Sequence, residues 1–167
     1  MKIRKAKISD AHDCARIHVS GWQNAYKGII PDDSLKKMSI KKRTRQFEKV
    51  IQDKTEETYV IEDNGKITGF TTIGNCRDDD KQNDTGEIWG IYIDPKHLRE
   101  GYGRKLTVYA EKILKTRKYK AIVLWVLADN HVARKFYEKF GFKTEGKTGL
   151  LEKYENAKIV RYIKTIG

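Results

Sequence analysis

Hydrophobic positions along the chain fall at two spacings, and each change of spacing marks an element. Residues 1–8 read as a first strand, with Ile3 and Ile8 as its main apolar members, and Ser9 and Asp10 can cap the next element. Ala11, Cys14, Ala15, His18, Val19, Trp22 and Tyr26 recur every three or four residues, which predicts a helix with one apolar stripe ending near Gly28. Pro31, Asp32, Asp33 and Ser34 open a short second helix carrying Leu35 and Met38. Ser39 caps a third, whose Ile40, Thr44, Phe47, Val50 and Ile51 share a face. Residues 58–62 and 66–74 read as strands around Asp63-Asn64-Gly65, and Asn-Gly is the strongest short hairpin signal a sequence carries. The run RDDDKQND at 77–84 is a polar loop.

The stretch at 86–104, GEIWGIYIDPKHLREGYGR, organises the second half. Residues 87–93 carry Ile88, Ile91 and Ile93 with Trp89 and Tyr92, and Pro95 stops this buried strand because it has no N–H to donate. From Arg104 to about Arg117, Leu106, Tyr109, Ala110 and Ile113 fall at helical spacing, so Gly101 and Gly103 sit at the helix start. Residues 121–127, AIVLWVL, suit a strand covered on both faces. Asp129 and Asn130 are capping residues before a helix with the stripe Val132, Ala133, Phe136, Tyr137 and Phe140, which Gly141 ends. Residues 143–151 and 159–166 read as closing strands. This order predicts an α/β (α+β) fold in one domain over 1–167: a mixed, twisted sheet of about seven strands flanked by four to five helices, with right-handed crossovers.

Composition changes the picture in two places. No apolar run approaches the roughly 20 residues of a membrane span, and the N-terminus alternates instead of showing a signal-peptide centre, so a cytoplasmic protein without membrane attachment is expected. Cys14 and Cys76 lack metal-ligand spacing, and no metal is expected. The formal charge of +12 invites a nucleic-acid reading. Yet the basic residues concentrate at Lys36, Lys37, Lys41, Lys42, Arg43, Arg45 and Lys49, which reads as the solvent face of one amphipathic helix, and at 96–120, around the glycine turn. There nine Lys and Arg residues face only Glu100 and Glu111. A polyanionic small ligand explains that second cluster as well as DNA would, so nucleic acid is not the expected partner.

Two glycines one residue apart let backbone approach a ligand closely, and the first free N–H groups of the helix then point at it; a phosphate is the usual occupant. The turn is no dinucleotide fingerprint, since Leu106 holds the third glycine position, and no P-loop, since no Gly-Lys-Ser/Thr comes after it. A second segment is more specific: Asn130-x-x-Ala133-x-x-Phe136-Tyr137-Glu138-Lys139-x-Gly141-Phe142. Strand, Asp-Pro, Gly-x-Gly, helix, strand and then this segment resemble the GNAT superfamily of acyl-CoA-dependent N-acetyltransferases over most of the chain. One departure is Leu98, where the family's Gln/Arg-x-x-Gly-x-Gly/Ala turn has a polar residue.

The resemblance implies a GNAT fold, with two parallel strands splayed at the cofactor site, and acetyl-CoA (coenzyme A) as cofactor. Its pyrophosphate would lie against the backbone of Leu98, Arg99, Glu100, Gly101, Tyr102, Gly103 and Arg104, with Lys96, Arg99, Arg104 and Lys105 offering charge. Its pantetheine arm would pair like an added strand with Ile91, Tyr92 and Ile93, near an oxyanion-binding N–H, and touch Asn130, which also caps its helix. Glu87 is the implied base, directly or through water, against the alternative of a solvent-facing strand end; Tyr137 is the implied acid for the thiolate. Trp22 and Tyr26, in Trp-x-x-Ala-Tyr-x-Gly-x-x-Pro, would line the acceptor pocket, although anchoring the helix to the sheet explains both equally well. The implied activity is acetyl transfer to a primary amine of a small molecule or peptide, in a protein of a family where homodimers are common. The alternative is a non-catalytic acyl-CoA-binding or partner-docking module.

Overall fold

The Asn64-Gly65 pair turns the chain back on itself, both residues lying in the left-handed region (φ 48° and 74°) that a two-residue hairpin requires. It joins strands β2 (Glu57–Asp63) and β3 (Lys66–Asn75), and in the computed structural model, which describes residues 1–167, they form part of one larger sheet. The other strands are β1 (Lys2–Lys5), β4 (Thr85–Ile93), β5 (Ala121–Leu127), β6 (Lys143–Leu151) and β7 (Ala157–Thr165). Seven strands run in the order β1-β2-β3-β4-β5-β7-β6, and only β4 and β5 are parallel.

Helices α1 (Ala11–Ala25), α2 (Asp32–Lys36) and α3 (Ile40–Asp53) precede the hairpin, while α4 (Tyr102–Thr116) connects β4 to β5 and α5 (His131–Lys139) comes after β5. Their apolar stripes divide over the two sheet faces. Ala110 and Leu114 of α4, with Ala133 and Tyr137 of α5, pack on Ile88, Ile122, Leu124 and Val126. On the opposite face Ala11, Cys14 and Ala15 of α1 and Phe47 of α3 cover Val60, Ile67 and Phe70. The two-sided cover predicted for β5 is therefore present: Ile122 belongs to the first cluster and Leu127 packs with Ile30 and Leu35 on the other face.

Several boundaries move, each for a local reason. The first strand stops at Lys5 because the carboxylate of buried Asp10 takes the Lys7 N–H at 2.7 Å and the Arg4 guanidinium, curling residues 8–10 into a 3₁₀ turn and leaving Ile8 51% exposed. Asp10 thus serves that turn and makes no side-chain cap on α1. Ser39 and Asn130 do cap their helices, accepting from the N–H groups of Lys42 and Ala133. The 77–84 loop has no regular structure yet is firmly held, since Asp78 and Asp80 both bind Arg161 of β7, itself only 2% exposed. No helix is long and apolar enough to cross a membrane.

Candidate active site

The site begins where the parallel pair fails. β4 and β5 pair over Thr85↔Ala121, Gly86↔Ile122 and Glu87↔Val123 and then part, so the later residues of β4 keep β3 on one edge and lose β5 on the other. This is why only the first half of β4 is buried, against the expectation of a buried strand throughout. A bulge assists the opening: Ile73 pairs with Ile88 and Thr72 with Gly90, leaving Trp89 as an extra residue. Gly90 is needed there, because a Cβ would stand 2.6 Å from the Tyr92 ring. The Gly90 carbonyl accepts from Thr71 Oγ1 on β3 at 3.0 Å. Its planar trans peptide then directs the Ile91 N–H the other way, into the cleft. Ile91 and Ile93 pack towards α4, whereas Tyr92 packs against the α1 side.

Beyond β4 the chain is locked into a turn. Asp94, 6% exposed, accepts from the Lys96 N–H at 3.0 Å and from Arg16 of α1 at 2.5 Å. Arg99 and Gly101 both adopt positive φ (67° and 86°), which delivers the chain to α4 two residues earlier than its apolar spacing suggests. No side chain caps α4, so the N–H groups of its first turn are left for a ligand. Around them Lys96, Arg99, Arg104 and Lys105 are exposed and form no ion pair with a carboxylate, an anion-attracting rim. Leu98 is 47% exposed and contributes backbone alone, and Glu100 faces His97 at 3.3 Å. The Tyr102 side chain plays another part: its hydroxyl donates to Asp63 at 2.9 Å, clamping the helix start to the hairpin, and that bond pushes the phenol up to about 12.

The far wall comes from α5. Phe136 approaches the turn, since a Cβ on Gly103 would lie 3.6 Å from its ring and 3.9 Å from Ile93. Tyr137, one residue on, packs edge-on against Phe136 and Phe142, and its hydroxyl makes no hydrogen bond. Burial, aided by Tyr92, raises that phenol above its ordinary value, so it stays protonated. The same cause, joined by Tyr92 and Tyr137, raises Tyr26, which places these three phenols in one neighbourhood. Asn130 spends its Oδ1 on the Ala133 N–H at 3.1 Å.

On the α1 side, Glu87 is 1% exposed, so it is not a solvent-facing strand end. Its carboxylate accepts from Arg77 three times, from Nη2 at 2.5 Å, Nε at 3.2 Å and the backbone N–H at 3.0 Å, and the Arg77 guanidinium also lies over Trp89. A cavity of about 390 Å³ opens in front of this pair, walled by His18, Arg43, Glu56, Trp89, Gly90 and Tyr92. Trp22 stacks on His18 with centroids 5.3 Å apart and meets Tyr26 and Tyr154 at 4.8 and 4.9 Å. Trp22 and Tyr26 both anchor α1 against the sheet, packing with Ile30, Leu35 and Leu127, and neither is among the residues that wall the cavity.

Comparison with known sequences meets this geometry. The profile of the Acetyltransferase (GNAT) family matches residues 22–142. The chain belongs to that family. A relative 30% identical over 130 residues, covering 77% of this chain and 72% of its own, is the uncharacterized N-acetyltransferase YuaI of Bacillus subtilis (strain 168). Another, 26% identical over 162 residues and covering 93% and 99% of the two chains, is a spermidine N(1)-acetyltransferase of Thermoplasma acidophilum. Among solved structures, a ribosomal-protein-alanine N-acetyltransferase of Brucella melitensis shares the fold at TM-score 0.77 and 19% identity, over 99% and 100% of the chains. The PaiA N-acetyltransferase of Thermoplasma acidophilum, solved in complex with coenzyme A, does so at 0.73 and 22%, over 96% of each.

As a GNAT member the chain shows the family's mixed sheet with its parallel β4–β5 pair. The glycine turn and Tyr137 meet through Phe136, Asn130 caps α5, and Glu87 is buried against Arg77. Sequence reasoning missed Arg77, which opens a run read only as a loop. It also missed Arg43, read as part of a solvent face, although Lys41, Lys42, Arg45 and Lys49 around it are exposed. The Arg16–Asp94 clamp was legible only in its Asp-Pro half.

Proposed function

We propose that this GNAT protein transfers the acetyl group of acetyl-CoA to a primary amine of a small molecule or peptide, by direct attack in a ternary complex. One observation carries the reading: an uncapped helix N-terminus with an exposed cationic rim stands at the head of a splayed strand pair with a free β4 edge. These residues fit coenzyme A. The amides at 98–104, with Lys96, Arg99, Arg104 and Lys105, would hold the phosphates, and the free edge of Ile91, Tyr92 and Ile93 would take the amide-bearing arm as a further strand, next to Asn130. Leu98 does not disturb this, because the cradle is made of backbone groups.

When bound, acetyl-CoA supplies a thioester carbonyl open to attack by a neutral amine. The chain's own groups then do the rest. The Ile91 N–H, aimed into the cleft, stabilises developing negative charge on the carbonyl oxygen. An alkylamine with a pKa near ~10 arrives protonated at neutral pH, so a proton must be removed. Glu87 serves through a water rather than by direct contact, since Arg77 occupies both of its oxygens. Tyr137, protonated and without a partner of its own, donates to the departing sulfur. Trp22 and Tyr26 line the acceptor's approach.

Thiol release from acetyl-CoA across an amine panel tests the reading. Turnover that is lost in Tyr137→Phe supports it. Acetyl-CoA binding with no turnover on any amine would favour the non-catalytic module instead.

A further inference from the structure

The cavity on the α1 side holds a pattern that acetyl transfer alone does not require. Three buried side-chain atoms in the protein lack a hydrogen-bond partner of good geometry: Nδ1 of His18, Nε of Arg43 and Nε1 of Trp22, the last of which faces the Tyr92 hydroxyl. They form one cluster, with His18 stacked on Trp22 and Arg43 Nη2 lying 2.6 Å from His18 Nε2. Burial and the neighbouring guanidinium push the His18 imidazole down to about 3, so it is neutral at physiological pH. With Nε2 accepting from Arg43, the ring's single proton sits on Nδ1. All three orphans are therefore N–H donors, and an unmet buried donor is costly.

Charge points the same way. Four ionisable groups face the cavity with Tyr92: His18 from α1, Arg43 from α3, Glu56 ahead of β2 and Arg77 from the 77–84 loop. Arg77 is neutralised by Glu87 at 2.5 Å. Glu56 forms no ion pair; burial raises its carboxyl above the ordinary value, and the nearby Arg77 and Arg43 charges work against that rise. Arg43 has no carboxylate partner; its terminal nitrogens rest on neutral His18 and on Gln46 Oε1 at 2.9 Å. Three of the four loop acids are committed elsewhere, Asp78 and Asp80 to Arg161 and Asp84 to Lys120. A guanidinium held in no ion pair, beside buried donors without acceptors, suits an anion.

The cavity reaches Gly90 and Tyr92, beside the Ile91 N–H. We infer that the acceptor amine carries a carboxylate, seated against Arg43 while its amino group lies at the Gly90 end. The substrate class is thus amino-acid-like, and a polyamine would place positive charge against Arg43. This inference rests on the acetyl-transfer reading above.

Thiol release is measured with matched pairs, each amino acid beside the amine that lacks its carboxylate, and with spermidine. The carboxylated member of at least one pair should show kcat/KM about tenfold or more above both its partner and spermidine. Arg43→Met should collapse that preference to within about threefold, mainly through KM, and Arg43→Lys should keep part of it, with acetyl-CoA affinity unchanged in both. Preference for the decarboxylated amine or spermidine, or a preference surviving Arg43→Met, overturns the inference and leaves acetyl transfer standing. If acetyl-CoA itself fails to bind, the acetyl-transfer reading falls instead. If no pair turns over, calorimetric titration of the amino acids into coenzyme A-saturated protein decides: binding lost in Arg43→Met supports the carboxylate seat, and absence of binding refutes it.

Discussion

Replacing Arg77 with Met strands the carboxylate of Glu87. The backbone N–H of residue 77 still donates to it at 3.0 Å, but the bonds from Nη2 and Nε and the positive charge are gone. Removing one member of a buried ion pair costs about 3–5 kcal/mol, because the partner is left charged in a poor solvent. Here Glu87 is buried while the Arg77 side chain is 57% exposed, so truncation admits water and brings the cost down to about 2–3 kcal/mol. For a chain of this length that corresponds to a fall in Tm of roughly 5–10 °C. Urea denaturation at pH 7 measures it, and a cycle with Glu87→Gln and the double variant isolates the pair, with an expected coupling of about 1–2 kcal/mol. A loss below about 0.5 kcal/mol, or strictly additive single variants, would show that Arg77 does not hold Glu87 in solution.

Three further outcomes are expected from the same structure. Because the folded imidazole of His18 titrates near 3 and an unfolded one near ~6.5, the unfolded chain takes up a proton across that window that the folded chain refuses. Stability should therefore decline as pH falls below about 6.5, by up to ~1.4 kcal/mol per unit, and His18→Gln should remove that share; equal slopes in the two proteins between pH 4 and 6.5 would contradict it. Gly101→Ala, forced to φ 86°, should lose about 1–2 kcal/mol in urea denaturation. Gly103→Ala, whose Cβ meets Phe136 at an ordinary 3.6 Å, should stay within about 0.5 kcal/mol of the parent, and the reverse ranking would refute the assignment of strain. Tyr137→Phe removes a hydroxyl that bonds to nothing, so stability should hold within about 0.5 kcal/mol while kcat drops roughly 10²–10⁴-fold; a kcat within threefold would exclude Tyr137 as the acid.

The elements that local chemistry determines were legible in the sequence. The Asn64-Gly65 hairpin, the Ser39 and Asn130 caps and the apolar run of β5 each depend on a few adjacent residues, and each stands where its pattern indicates. The glycine turn ahead of α4 was legible for the same reason, since Gly101 and the proline after Asp94 act within a few residues. What could not be read is what distant charges decide. Asp10 looks like a helix cap until Arg4 and Lys7 are seen to claim it, which ends β1 early. Glu87 meets Arg77 only because β3 and β4 lie side by side, with Gly74 opposite Glu87. Arg43 leaves the solvent face of its helix for the cavity because neutral His18, two elements away, accepts its Nη2 hydrogen bond.

The turn at 98–104 carries the weight of the functional reading, and calorimetric titration of acetyl-CoA probes it directly. Wild-type protein should bind one equivalent, and Gly103→Glu, which places a carboxylate among the amides meant for phosphate, should lose affinity by about 100-fold or more with its Tm intact. No binding to the wild type, or equal binding to both, would contradict the assignment of this turn as a coenzyme A cradle.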